Sequence, residues 1–235
     1  MAKERLDKLI ASTGRWSRRE VKTLVREGRV LVDGRIAGSA EEKYDAESCR
    51  IAVNGEELLL RRHTYVMLHK PAGVLSATED GRGRTVLDLL TPELRKIGVF
   101  PVGRLDKDTE GLLLLTDDGE LAHALLSPKK HVDKVYYARV SGRLAPEDCA
   151  AFEAGMTLGD GLECLPAGLE ILSPGEALVT LREGKFHQVK RMLAARGKPV
   201  EYLKRLSMGS LRLDDTLAPG EFRLLTAAEE AQLQR

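Results

Sequence analysis

Phe100-Pro101-Val102-Gly103-Arg104-Leu105-Asp106-Lys107-Asp108-Thr109-Glu110-Gly111, running on into Leu112-Leu113-Leu114-Leu115 and Thr116-Asp117-Asp118-Gly119, is the most informative stretch of the chain. A polar loop bracketed by glycines abuts four consecutive leucines, an apolar run that fits a buried strand. Such a strand is a rigid support, and Asp106 on the loop is placed as a working carboxylate would be held. Two other readings of the same residues stand beside that one. Asp106 or Asp108 can bond its own backbone in an Asx-type turn. Alternatively Asp106, Asp108, Asp117 and Asp118 supply hard oxygen ligands for magnesium, against which the intervening cations Arg104 and Lys107 count.

Outward from this stretch, further short apolar segments read as strands at Tyr65 to Leu68, Val135 to Val140 and Ala177 to Leu181, with two or three helices between them. Without a regular strand-helix alternation, the pattern predicts an α+β fold on a mostly antiparallel mixed sheet. Two loops on this body, His69-Lys70-Pro71-Ala72-Gly73 and Gly81-Arg82-Gly83-Arg84, are either plain turns or RNA contacts. A turn signal at Asn54-Gly55 and the segment Leu58 to Arg62 mark a boundary, giving a module over 1–60 and a larger domain over 61–235.

The N-terminal module has its own signature. Ser17-Arg18-Arg19-Glu20 is an S-x-x-E capping box, followed by Val21, Leu24 and Val25 at helical spacing and a stop at Gly28. Asp33-Gly34 between Arg29-Val30-Leu31-Val32 and Arg35-Ile36 is a two-residue hairpin turn. A short helix over Leu6 to Ala11 completes a helix-helix-hairpin unit. Arg18, Lys22 and Arg26 fall four apart and make one cationic stripe, joined by Arg5, Lys8, Arg15, Arg19 and Arg29 with few compensating acids.

Charge confirms the division. The 235 residues carry 37 Lys/Arg and 36 Asp/Glu, a net +1, yet residues 1–35 hold +5 and the remainder −4. A basic head on an acidic body points to a polyanion partner met by the head, with phosphates as the contacts of the stripe. At 43% hydrophobic and 31% charged residues the chain has material for a core, which argues against disorder. It offers no membrane-length apolar run, and Met1-Ala2-Lys3-Glu4-Arg5 leads straight into charge, so a cytoplasmic location is expected. Cys49, Cys149 and Cys164 show no metal-binding or disulfide spacing. With no long apolar stripe left over, a monomer is expected.

Two resemblances add to this. Arg5-Leu6-Asp7-Lys8, Ser17-Arg18-Arg19 and Gly28-Arg29-Val30-Leu31-Val32-Asp33-Gly34 resemble the small RNA-binding module of a small-subunit ribosomal protein, over roughly residues 3–50. Gly103-Arg104-Leu105-Asp106 through Thr116 resembles the signature loop of the pseudouridine synthases, specifically the RsuA-type branch that modifies ribosomal RNA. His69-Lys70-Pro71-Ala72-Gly73, Lys134-Val135-Tyr136 and Glu183-Gly184-Lys185-Phe186-His187-Gln188-Val189-Lys190-Arg191-Met192-Leu193 agree in order and spacing.

The resemblance implies the pseudouridine synthase fold and an isomerase that works without cofactor or metal. It would cut the N1–C1′ bond of an extruded uridine, turn the uracil and rejoin it through C5. Asp106 would then be the nucleophile or the base toward the sugar, with Lys190 as its cationic partner and Arg191 next in line. A lysine stands where arginine is the commoner residue of the family, giving a point charge instead of a bidentate fork. Tyr136 would stack on the uracil, with Tyr137 on the opposite face of its strand. Arg104 would fill the space left by the flipped base or hold a phosphate, Leu206 would wall the site near Tyr136, and Lys70 would bind substrate. The form of the His187 to Met192 segment favours 16S ribosomal RNA. A 23S enzyme, a non-catalytic RNA-binding assembly factor and a magnesium-dependent phosphodiesterase are the alternatives.

Overall fold

The computed structural model describes residues 3–46, 48–81 and 83–233. The chain divides into two compact units, Met1–Thr64 with Leu90–Val99, and Tyr65–Leu89 with Phe100–Arg235.

In the first unit, α1 (Leu6–Ala11) and α2 (Arg18–Arg26) precede β1 (Val30–Val32), β2 (Arg35–Ile36), β3 (Ile51–Val53) and β4 (Glu56–Glu57), which form a sheet in the order β2-β1-β3-β4. The capping box is formed: the Ser17 hydroxyl accepts from the Glu20 amide, and the Glu20 carboxylate accepts from the Ser17 amide at 2.6 Å. Asp33 and Gly34 take φ of 49° and 78°, as the tight hairpin between β1 and β2 requires. Leu6, Ile10, Val21, Val30 and Ile51 meet in the unit's core. The segment Leu90–Val99, with α3 (Pro92–Ile97), belongs to this unit although it lies far along the chain. Gly14, at φ 72°, shows the closeness: a Cβ there would stand 2.2 Å from the Glu93 carbonyl oxygen. A split at residues 60 and 61 in chain order does not anticipate that excursion.

The second unit is built on β5 (Tyr65–Lys70), β6 (Glu110–Thr116), β7 (Lys134–Val140), β8 (Gly168–Ser173), β9 (Glu176–Leu181), β10 (Val200–Met208) and β11 (Phe222–Leu224). Their order is β8-β9-β7-β10-β6-β5-β11; Phe100–Pro101 adds to β6 and Leu211–Arg212 to β10. Every pairing is antiparallel except β10 with β6, so the sheet is mixed and mostly antiparallel. Four helices accompany it, α4 (Gly119–Leu126), α5 (Pro146–Ala154), α6 (Gln188–Ala195) and α7 (Ala227–Leu233), against the two or three expected.

The four leucines are central. Leu112 and Leu114 join Tyr65, Met67 and Met208 in one cluster, while Leu113 and Leu115, equally buried, point to the other face of the pleat. Each such side chain contributes about 1.5 to 3 kcal/mol on burial, so β6 is a firm base for the loop before it. The parallel contact is close: Gly111, at φ 104°, sits where a Cβ would lie 2.3 Å from the Arg205 carbonyl oxygen. Between β7 and β10 the register breaks, with Val135 opposite Ser207 and Tyr136 opposite Arg205. Leu206 is the extra residue of that bulge.

Candidate active site

The loop carrying Asp106 is held from beneath. Lys70, at the end of β5, is fully buried, and its ammonium donates to the carbonyls of Thr109 at 2.8 Å, Pro71 at 3.0 Å and Lys107 at 3.2 Å. The Gly73 amide donates to the same Lys107 carbonyl at 2.7 Å. On the other flank the Ser76 hydroxyl donates to the Leu105 carbonyl at 3.0 Å and accepts from the Leu105 amide at 3.1 Å. A Thr109 amide to Asp106 carbonyl bond closes the turn. Burial pulls Lys70 down to about 8, while Asp108, Asp106 and Glu110 hold it up. The placement of Lys70 corrects the expectation that it binds substrate: it is a clamp on the loop, reached because β5 and β6 pair along their whole length.

Above the loop, Lys190 projects from α6. Its ammonium lies 3.0 Å from Asp106 Oδ2 and 2.5 Å from Asp108 Oδ1. Burial lowers the Lys190 pKa, but the hydrogen bonds to Asp108 and Asp106 more than offset this and hold it above its ordinary value. Asp108 is correspondingly held below the usual carboxylate range by its bond to Lys190. His187 Nε2 stands 3.4 Å from the other oxygen of Asp106, Oδ1. His187 takes φ 50°, which turns the chain sharply into α6.

These groups open on a small cavity of about 70 Å³ lined by Arg104, Asp106, Tyr136, Lys185, His187 and Leu203, among others. Asp106 and Arg104, on one loop, are thus brought together with Tyr136 and Lys190 by three segments remote in sequence. Tyr136 faces the cavity, and Tyr137 faces away, donating to Glu176. Two expected residues are not there. Arg191 reaches instead to Asp160 on the outer side of α6. Leu206, displaced by the bulge, lines a separate cavity of about 590 Å³ with Val135, and Leu203 walls the Asp106 cavity in its stead.

The four carboxylates considered as a magnesium set are not assembled. Asp106 and Asp108 converge on the Lys190 ammonium, whereas Asp118 accepts from the Leu121 amide at the start of α4 and from the Tyr65 hydroxyl. Among the described residues no cluster of three or more His, Cys, Asp or Glu side chains could hold a metal. The residues missed from sequence are supports. Glu183 accepts from Gln188 Nε2 at 2.6 Å and from the Leu165 amide at 2.9 Å, Gln188 accepts from the Lys185 amide, and buried Arg205 donates to the Leu112 carbonyl. Glu183, His187 and Gln188 lie inside the motif around Lys190, so proximity in sequence was the available signal.

On the first unit the cations are more heavily paired than the N-terminal count of acids suggests. Arg5 and Arg18 both bind Asp7, which is fully buried, and Arg5 and Lys22 share Glu41. Arg15 pairs with Glu56, Lys8 with Glu4 and Arg29 with Glu27, while Arg26 donates to Thr23 and Arg19 sits exposed on α2. Glu41 and Glu56 lie beyond residue 35, which is why the expectation of few compensating acids fails. Exposed pairs are worth about 0 to 1 kcal/mol, whereas the pair of Arg18 with buried Asp7 anchors α2 to α1. Of the basic tip at 81–84, Arg82 lies outside the described residues.

A carboxylate held between an ammonium and an imidazole, beside a tyrosine in one pocket, is the equipment of an enzyme and not of a binding module alone. A family model described as RNA pseudouridylate synthase matches residues 64–195, and one described as S4 domain matches residues 4–48. The Bacillus subtilis protein named Uncharacterized RNA pseudouridine synthase YtzG is 51% identical over 96% of each chain. The Ribosomal small subunit pseudouridine synthase A of Vibrio cholerae is 41% identical, covering 97% of this chain and 99% of its own. A pseudouridylate synthase crystal structure superimposes with a TM-score of 0.69 at 36% identity, over 97% of this chain and 99% of that one. The chain belongs to the RNA pseudouridine synthase family of isomerases and carries an S4 RNA-binding domain at its N-terminal end. No helix among the described residues is long and apolar enough to cross a membrane.

Proposed function

We propose that this enzyme converts one uridine of 16S ribosomal RNA to pseudouridine, without cofactor or metal, with Asp106 as the group that acts on the sugar. The observation that carries the reading is the Asp106 carboxylate at the cavity, with the Lys190 ammonium 3.0 Å from one oxygen and Tyr136 in the same wall. Lys190 is the cation that pairs with this carboxylate.

In this reading Asp106 acts at the ribose, as nucleophile on C1′ or as base on C2′, and the N1–C1′ bond breaks. Tyr136 keeps the freed uracil against the site while C5 turns toward C1′. As the new C5–C1′ bond forms, the Asp106–C1′ ester bond breaks and frees the carboxylate, or on the other route the proton returns to C2′; C5 then gives up its proton and N1 ends protonated, so the product is an isomer. Arg104, exposed beside Asp106, holds a phosphate or fills the place the base has left. The 16S preference rests on the likeness to small-subunit enzymes such as that of Vibrio cholerae.

Unmodified 16S and 23S transcripts and assembly intermediates, treated with the full chain in chelator and mapped for pseudouridine, test the proposal. One 16S site should convert, and Asp106→Asn should abolish conversion while RNA binding persists. Conversion in 23S alone would refute the substrate, dependence on a metal would refute the chemistry, and binding without conversion anywhere would leave an assembly factor.

A further inference from the structure

We infer that Phe186 is a stacking platform for an unpaired base next to the target uridine, one layer outside the catalytic carboxylate. Among the four phenylalanines Phe186 alone is exposed, at 75%, though an apolar ring of that size is ordinarily drawn inward. Scattered exposed apolar residues need no explanation by themselves. This one is set in a defined geometry. Its ring lies parallel to that of His187, with centroids 3.8 Å apart and an interplanar angle of 18°, and His187 Nε2 is 3.4 Å from Asp106.

The column from Asp106 through His187 to Phe186 therefore has one free aromatic face, at roughly the spacing of stacked bases. The turn that presents it is tied down. Glu183 binds Gln188 and the Lys185 ammonium, and Gln188 accepts from the Lys185 amide, so both flanks of Phe186 are fixed. Lys185 and His187, its neighbours in sequence, both line the Asp106 cavity, which puts Phe186 at the cavity's rim. Lys185, Lys190 and Arg191 stand on the same segment, each paired with a carboxylate, so it is the free aromatic face that suits single-stranded nucleic acid. A base beside an extruded uridine has lost a stacking partner, and Phe186 offers a replacement of the same shape. This inference rests on an RNA uridine being the substrate, and it adds a recognition element that Asp106 chemistry does not require.

The test uses the full chain and a 16S fragment centred on the uridine it converts, made also with single abasic nucleotides on either side. Phe186→Ala and Phe186→Leu should raise KM about 5- to 150-fold, the range expected for one base-aromatic stack, with kcat little changed and the thermal unfolding midpoint unmoved. Phe186→Trp should restore the KM. An abasic nucleotide on one side should cost wild type the same factor and cost Phe186→Ala nothing further. Leucine serving as well as phenylalanine, or abasic and Phe186→Ala losses that multiply, would overturn the inference. No conversion of 16S by wild type would instead overturn the substrate on which it rests, and the two failures are told apart by that control.

Discussion

Replacing Lys70 by methionine separates two roles that a lysine in the segment 69–73 can have. Methionine keeps the length and apolar stem and removes the donors. Of the three carbonyls the ammonium serves, that of Lys107 retains the Gly73 amide and that of Pro71 is only partly buried, but the Thr109 carbonyl bond is buried. Leaving one buried acceptor unsatisfied costs about 1 to 3 kcal/mol, and the other two charge-assisted bonds add to it. Relief of the buried charge acts in the opposite direction. The net expectation is a loss of about 2 to 3 kcal/mol, read as a lower urea midpoint with unchanged slope. The loop between Leu105 and Glu110 loses its floor, and a displacement of Asp106 by about 1 Å is enough to lower kcat about 100-fold. Affinity for RNA and its salt dependence should stay as in wild type. A lysine that touched phosphate would behave in the reverse way, with weaker binding, a salt slope reduced by about one unit and kcat intact. That outcome would refute the clamp.

Gly111→Ala should disrupt the parallel pairing of β6 and β10 by about 3 kcal/mol or more, because the added Cβ meets the Arg205 backbone at 2.3 Å; chemical denaturation of the variant measures it. Lys190→Arg should keep most of the activity and Lys190→Met should lower kcat about 100-fold, with single-turnover rates as the readout; equal rates would remove Lys190 from the site. Arg19→Glu with Arg26→Glu should weaken RNA binding and flatten its salt dependence without slowing the chemical step at saturating RNA. Lys70 sets a pH dependence of stability: its folded value of about 8 lies below the ordinary 10.5, so the unfolded chain binds more protons between those values. Stability relative to Lys70→Met should therefore rise with pH across pH 8 to 10.5, by about 1 kcal/mol per pH unit, and a flat difference in urea titrations at pH 8, 9 and 10 would contradict it.

What could be read from sequence was what is local. The capping box at Ser17, the hairpin at Asp33-Gly34 and the buried run Leu112 to Leu115 depend on neighbours a few residues away, and each formed as expected. Strand β10 breaks the apolar–polar alternation, with Lys204 and Arg205 side by side and Arg205 buried, so its length and parallel partner were not evident from the pattern. Leu206, expected from the resemblance to wall the site, is the extra residue of the bulge, which turns it away to a different cavity. The excursion of Leu90–Val99 into the first unit was equally hidden, because nothing in a helix of six residues states which core it will join. Lys70 was expected to bind substrate, since lysine is rarely buried; only the pairing of β5 with β6 shows that its stem runs under the loop.

Two lysines serve one loop, and their surroundings divide the work between them. Lys70 is sealed beneath the backbone, where its donors meet carbonyls and it governs only where Asp106 stands. Lys190 is partly open to solvent, touches both Asp106 and Asp108, and can respond to what enters. A uracil filling the cavity displaces water from the Asp106 side of that pair and lowers the local dielectric, which strengthens the attraction between ammonium and carboxylate. Asp108, three-quarters exposed, remains hydrated, so its 2.5 Å contact with Lys190 does not gain in the same way. On the proposed reading, substrate entry therefore draws the ammonium toward Asp106 as the sugar is attacked. Asp108→Asn should for that reason be far milder than Asp106→Asn: it removes a competitor for Lys190, leaves the loop clamp untouched, and changes kcat by a small factor while Asp106→Asn abolishes turnover.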